Sequence, residues 1–405
     1  MKSTIIAASL FAFTAGTIAL YPAINSVGAI NTIPTNPVTQ PLLQPPIAQQ
    51  RPKVEVVFAL DTTGSMGGLI QAAKEKIWSI ATTMSQAQPA PEIKMGLVAY
   101  RDRGDAYVTR VVDLSEDLDT VYATLMDFRA EGGGDGPESV NQALDDAVNK
   151  VSWDQQEETY RVVFLVGDAP PHMDYQDDVK YPQTLATAKS KGIVVNTIQA
   201  GNSGATHLVW NKIAQGGYGQ YAQVSQDGNA VAIHSPFDEK MASLSKKLDD
   251  TRIYYGTDEV REKKRRKMEA ADKLHASASV ESQARRAAFN TSKSGESNLL
   301  GDSELVDDVV NGRVALDAIE KDHLPAPLQA MAPQEQRAKI AEIAHKRKAL
   351  QEEIKDLSVQ RQKYLEKQVA ESGDAASSLD HKLYGAIREQ AERKGIRYEA
   401  EAPAY

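Results

Sequence analysis

The chain is predicted to be an α/β protein: a doubly wound, mostly parallel sheet with one antiparallel edge strand, followed by an α-helical, partly coiled-coil C-terminal region. Three observations predict it. Short apolar runs alternate with helix-spaced apolar residues between residues 53 and 248. One run, residues 161–166, is apolar after its arginine, as in a strand buried on both faces. Beyond residue 252 strand-like runs stop and heptad spacing appears.

Residues 1–29 read as an export signal, or as an N-terminal anchor if uncleaved. Lys2 precedes an apolar stretch from Ile5 to Tyr21, and Val27-Gly28-Ala29 offers small residues for cleavage. The stretch is shorter than the roughly 20 residues of a spanning helix. Residues 30–52 scatter prolines among Gln, Asn and Thr, a composition that builds no core and favours an extended linker.

Residues 53–252 carry the alternating pattern. Strands are expected at 54–60, 93–100, 107–114, 161–166, 193–198 and 221–224. Helices are expected at 69–84, 118–128, 139–151, 184–191, 207–215 and 241–248. The short Gly104-containing turn between the second and third strands predicts the antiparallel edge. Trp78, Trp153 and Trp210 fall at helix or helix-end positions and read as packing residues.

Residues 253–332 read as a helical and linker region. The basic run 261–267 reads as a solvated helix face, with anionic lipid or polymer binding as the alternative. Residues 291–301 read as a flexible link. Residues 333–400 form a helical coiled-coil or hairpin region. Ile343, Leu350, Leu357 and Tyr364 recur every seven residues over 333–371, with Ile340, Arg347, Ile354, Arg361 and Gln368 in the companion position. This helix would pair with a second chain, giving a homo-oligomer, or fold back on residues 381–394 across the Ser372-Gly373-Asp374 break.

Composition excludes several functions. A net charge of -9 over 405 residues argues against a nucleic-acid partner. The absence of cysteine excludes disulfides, thiol nucleophiles and thiolate metal sites. A metal site must then use oxygen or imidazole, which favours magnesium, with calcium or manganese as alternatives, ahead of zinc.

Three acidic loops supply such oxygens. Asp61-Thr62-Thr63-Gly64-Ser65 ends the first strand, with hydroxyls at alternate positions. Gly132-Gly133-Gly134-Asp135-Gly136-Pro137-Glu138 precedes a helix. Gly167-Asp168-Ala169-Pro170-Pro171-His172 follows the fourth strand. In a parallel sheet such loops converge beyond the carboxyl edge. Asp61, Thr63, Ser65, Asp135 and Asp168 are the candidate metal ligands, with Glu138 as the competing second-loop ligand. His172 reads as a loop histidine satisfied by backbone, or as a ligand contact. Arg101, Asp102, Arg103 and Asp105 read as a turn held by local ion pairs, or as part of the binding surface.

The first loop resembles the Asp-x-Ser-x-Ser signature of von Willebrand factor type A domains, with Thr63 in the first serine position. Residues 53–252 are similar to that domain in order and spacing. Residues 100–105 and the second and third loops resemble a bacterial branch, some members of which sit beside alpha-kinase domains. The resemblance implies a metal-ion-dependent adhesion site with one coordination position left for an acidic residue of a partner. Asp135 stands where the family has a threonine, so the site would hold its cation more tightly and attract an acidic partner less.

The expected function is an exported, periplasmic or secreted, non-enzymatic binding module, with membrane proximity through its N-terminus. Its partner would be a protein or envelope component. The alternatives are a coiled-coil envelope scaffold with a structural metal and a metal-dependent hydrolase.

Overall fold

The strand that delivers Asp61 lies at the middle of the sheet. In the computed structural model, which describes residues 51–134, 136–228, 233–372 and 379–399, β1 (Lys53–Asp61) pairs in parallel with both β2 (Glu92–Tyr100) and β4 (Tyr160–Gly167). Antiparallel β3 (Thr109–Ser115) closes one edge; β5 (Ile193–Ala200) and β6 (Tyr218–Val224) extend the other. The order is β3-β2-β1-β4-β5-β6. Successive strands are laid down on opposite sides of β1, so the β1/β4 boundary is the switch point where doubly wound sheets bind ligands.

Apolar side chains on both faces of β1 demand cover on both faces. On one side Val54, Val56 and Leu60 pack with Leu69 and Ile77 of α1 (Gly67–Ser85) and Val121 and Leu125 of α2 (Leu118–Asp127). On the other, Val57 and Ala59 pack with Leu144 of α3 (Val140–Asn149), Leu185 of α4 (Tyr181–Ser190) and Trp210 of α5 (Gly204–Gly216). α6 (Asp238–Asp249) follows the sheet. Among the described residues, no helix is long and apolar enough to cross a membrane. The expected signal at 1–29, most of the linker at 30–52, Asp135 and the Gly373-Asp374 break lie outside the described residues.

The C-terminal region departs from expectation. It comprises α7 (Asp258–Ser277), α8 (Val280–Asn290), α9 (Glu296–Leu299), α10 (Leu305–Val310), α11 (Ala326–Gln329), α12 (Pro333–Ser372) and α13 (Leu379–Glu392). The expected flexible link at 291–301 is corrected. It contains α9, with Leu299 buried and Asn298 accepting the Asp119 N–H at 3.1 Å while donating to Asn290 at 2.7 Å. The basic run is not wholly a solvated face. Lys264 and Lys267 are buried on α7 and pair with Asp302 and Asp117.

The coiled-coil seam is also corrected. Its companion positions face other parts of the same chain. Ile340 packs with Leu305, Leu324 and Leu328, and Ile354 with Met241, Leu244 and Leu248. Arg347 donates to Glu304 at 2.8 Å and to the Thr251 carbonyl at 2.7 Å, and Arg361 to Asp238 at 2.6 Å. Buried arginines sit in the seam because acids of this chain await them. The alternative hairpin with residues 381–394 does not form among the described residues: α13 packs on α1 and β6.

Residues of α13 complete the core on the α1 side of the sheet. Leu383 and Ile387 join the cluster containing Leu69 and Trp78, and Gln390 bonds Tyr160 at 2.8 Å and Asn196 at 2.7 Å. Ile387→Ala is therefore expected to destabilise the whole domain by about 2–5 kcal/mol, the usual cost of emptying a buried aliphatic site. Urea unfolding followed by tryptophan fluorescence reads this; a loss under about 1 kcal/mol would mean that α13 only decorates the core.

Candidate metal centre

Asp61 is the last residue of β1 and is fully buried. Its Oδ1 accepts the Thr63 N–H at 2.8 Å and the Thr63 hydroxyl at 2.7 Å. Thr63 Oγ1 lies 3.5 Å from Ser65 Oγ, so the two alternating hydroxyls share one side of the loop. Asp61 Oδ2 has no hydrogen-bond partner among the described residues. Burial pushes this carboxyl up to about 7; the nearby Asp168 charge adds to the rise and the Thr63 donors oppose it.

Backbone hydrogen bonds stitch the second loop to the first. Gly64 N–H donates to the Gly132 carbonyl at 3.1 Å, and Glu131 N–H to the Thr62 carbonyl at 3.1 Å. Gly133 has φ +79°, and a Cβ there would stand 3.3 Å from both Glu138 Oε1 and Thr63 Cβ. The Glu138 carboxyl and Thr63 thus flank the same glycine. Asp135, the expected second-loop ligand, lies outside the described residues. Glu138 is buried, and its Oε2 has no hydrogen-bond partner among the described residues. Burial pushes it up to about 8, with the charges of Asp61, Asp102, Asp105 and Asp168 contributing.

The third loop is fastened to both the second loop and α5. Glu138 N–H donates to the Pro170 carbonyl at 2.9 Å, and His172 N–H to the Glu138 carbonyl at 3.1 Å. Thr206 Oγ1 donates to the Asp168 carbonyl at 2.8 Å, and Trp210 Nε1 to the Ala169 carbonyl at 3.0 Å. Trp210 therefore does more than pack. Asp168 Oδ2 accepts Gln226 Nε2 at 2.7 Å. A Cβ at Gly167 would collide with the Tyr100 hydroxyl and stand 3.0 Å from Asp61 Oδ2, so glycine lets β4 run this close to Tyr100 and the Asp61 carboxylate.

The residues around the loops serve in ways their local sequence does not show. Asp105 forms no local ion pair among the described residues. Its Oδ2 accepts the Gly133 N–H at 3.0 Å and the Asp102 N–H at 3.2 Å. Asp102 accepts the Ser139 hydroxyl and the Tyr175 hydroxyl, each at 2.8 Å. Arg103 reaches Asp177 at 2.8 Å and Asp178 at 2.5 Å. His172 has a carboxylate as a hydrogen-bond partner at Nδ1 and a second carboxylate near Nε2, rather than backbone alone. Nδ1 lies 2.8 Å from Asp174 and Nε2 3.3 Å from Asp102, and the ring stacks on Tyr175 at 4.0 Å. Gln226, which holds Asp168, has no signal in the sequence: a lone glutamine after a short strand looks like any loop residue.

The donor set suits a hard divalent cation. Among the described residues, two buried carboxyl oxygens at the site lack hydrogen donors, hydroxyls stand at alternate positions, and carboxylates raise one another toward protonation. Unshared negative charge in a buried place calls for a cation or for protons.

Comparison with known proteins agrees with this geometry in location. Residues 55–235 match the family model described as the von Willebrand factor A domain. The alpha-protein kinase vwkA of Dictyostelium discoideum is 30% identical over 121 residues, which are 29% of this chain and 19% of that protein. The von Willebrand factor A domain-containing protein 7 of Rattus norvegicus is 36% identical over 94 residues, 23% of this chain and 10% of that one. The chain thus spans less than a fifth of either relative's length. Among solved structures, the SpRpn10 VWA domain aligns at 12% identity and TM-score 0.34, covering 44% of this chain and 91% of that one.

Proposed function

Residues 55–235 form a von Willebrand factor A domain, and from that premise we propose that the chain is an exported, metal-dependent protein-binding module. Asp61, Thr63, Ser65 and Asp168 would hold the ion, with a second-loop carboxylate from Asp135 or Glu138. Magnesium suits the small, oxygen-only donor set best, with calcium or manganese as substitutes. Bound there, the cation would offer a partner's oxygen a coordination position at the carboxyl edge of the sheet. The reading places the chain in the periplasm or outside the cell, after the signal at residues 1–29. One observation carries the metal: Asp61 is fully buried with Oδ2 lacking any donor among the described residues.

The pH dependence of metal stabilisation tests this. Without metal, Asp61 and Glu138 keep their protons up to about 7 and about 8 in the folded chain. Their unfolded counterparts release protons in the ordinary carboxylate range. Between those limits the folded chain binds more protons, so stability falls as pH rises and levels off above the folded values. Metal replaces those protons. Magnesium should therefore raise the melting temperature over a chelator control by a margin that grows between pH 6 and pH 8.5. A margin that is zero, or constant with pH, would count against a metal at these carboxylates.

A structural-metal scaffold is the second reading, favoured by the C-terminal helices sharing a core with the sheet. Asp168→Ala separates the two. Loss of partner capture with the fold intact supports recognition through the ion; retained capture with lowered melting temperature supports the scaffold. The hydrolase reading requires metal-dependent turnover on a panel of phosphate and carboxyl esters.

A further inference from the structure

Beside the first metal loop is an open cleft of about 330 Å³, lined by Arg101, Tyr107, Arg110, Arg129 and Glu131 among others. One of its lining residues, Tyr107, touches the metal loop. Tyr107 Oη lies 2.8 Å from Thr62 Oγ1, and Thr62 stands between Asp61 and Thr63. Arg101 is 4% exposed, yet its Nε has no hydrogen-bond partner among the described residues. Nη2 of the same guanidinium donates to the Arg129 carbonyl at 2.9 Å and lies 3.5 Å from Glu131, and the group stacks over the Tyr107 ring at 4.6 Å. Arg110 also covers Tyr107, at 5.4 Å. Arg110 and Arg129 are exposed, and neither has a carboxylate partner within ion-pair distance among the described residues. Of the two acids that line the cleft, Glu131 faces Arg101 and Asp127 is engaged by Lys273 at 2.7 Å.

We propose that this arginine cleft is an anion subsite that reads a second carboxylate of an acidic peptide whose first oxygen contacts the bound cation. The proposal rests on the metal-dependent reading above and assigns the partner's chemistry. Asp61, Glu138 and Asp168 surround the expected ion with carboxylates, which cancels its charge and weakens its pull on an incoming acid. Attraction for an acidic partner must then come from elsewhere. In a chain of net charge -9, a cluster of arginines adjoining the metal loop supplies it. Guanidinium groups present paired N–H donors that match a carboxylate, and the Tyr107 ring gathers two of them, Arg101 and Arg110, at one place. In an extended peptide, side chains on one face recur every second residue, so a short acidic segment presents carboxylates at a regular pitch.

The test uses the full chain and a rhodamine-labelled (Gly-Asp)4 peptide, with (Gly-Asn)4 as its uncharged counterpart. Fluorescence anisotropy with magnesium should show the acidic peptide bound and the amide peptide not. Arg110→Ala/Arg129→Ala should weaken the acidic peptide by about tenfold or more, the worth of a lost charge-assisted pair. Both side chains are exposed, so folding and the manganese affinity measured by calorimetry should be unchanged. Acidic-peptide binding that equals amide-peptide binding, or that survives in the double variant, overturns the cleft. Loss with chelator but not in the double variant leaves the metal reading standing and removes the cleft. Loss in the double variant but not with chelator keeps the cleft and removes the metal from recognition.

Discussion

Asp61→Asn should bind manganese on the order of 100-fold more weakly than the wild-type chain, and at pH 8.5 without metal it should melt at a higher temperature. The two effects have one cause. Asp61 lies at 0% exposure with a carboxyl oxygen that no donor satisfies among the described residues. With metal, that charge is the strongest reason for the ion to bind. Without metal above pH 7, it is an uncompensated buried charge, and removing it relieves the fold. Asparagine keeps an acceptor for the Thr63 donors at 2.7 and 2.8 Å. Its apo melting temperature should also lose the Asp61 share of the fall that the wild type shows between pH 5 and pH 8, while the share of Glu138 remains. Calorimetry with manganese and melting curves at several pH values check both halves. Equal manganese affinity would remove Asp61 from the ligand set. A lower apo melting temperature at pH 8.5 would mean that its charge is satisfied by something other than metal.

Arg286→Met should cost about 3–5 kcal/mol, because it strands the buried Asp119 carboxylate and takes the strongest partner from the buried Asp249. The Arg286 guanidinium on α8 is fully buried. It donates to Asp119 of α2 at 2.6 Å, to Asp249 of α6 at 2.7 Å and to Ser245 at 3.0 Å. His275 of α7 joins through Asp249 at 2.7 Å. Burial alone would push both carboxyls up, but the Arg286 charge outweighs it and holds them below the usual range. Their contribution is therefore present above the ordinary carboxylate range and lost as pH falls through the depressed values. Guanidinium chloride unfolding at pH 7 measures the loss. The variant Arg286→Met/Asp119→Asn/Asp249→Asn should recover most of it, since removing a whole buried ionic group costs far less than removing one member. If the triple variant is no more stable than Arg286→Met, the damage is a packing defect and not stranded charge.

Much of the sheet could be read from the chain because its information is local. A run such as residues 161–166 has one way to bury both faces, and the segments beside it carry helix spacing on one side only. The strand ends were legible for the same reason, and with them Asp61 and Asp168, since Asp61 follows directly on the last apolar residue and Asp168 comes one glycine after it. What α12 packs against was not legible. The stripe through Ile340, Arg347, Ile354 and Arg361 states that one face is buried, but a heptad spells no partner. Glu304 and Asp238, which receive its arginines, lie far away in sequence. Gln226 and Asp105 escaped for a similar reason: one hydrogen bond to a distant loop leaves no periodicity.

By itself, then, the sequence determined the alternation of strands and helices, the antiparallel edge and the oxygen-rich loops at the carboxyl ends of β1 and β4, because burial and turn chemistry act over a few residues. Only the tertiary structure decided the rest. It set Glu138 beside Thr63 at Gly133, set Tyr107 of the Arg101–Arg129 cleft against Thr62, and seated α13 in the core. Those arrangements depend on which distant surfaces meet, and that choice is made by shape and charge complementarity across the whole chain.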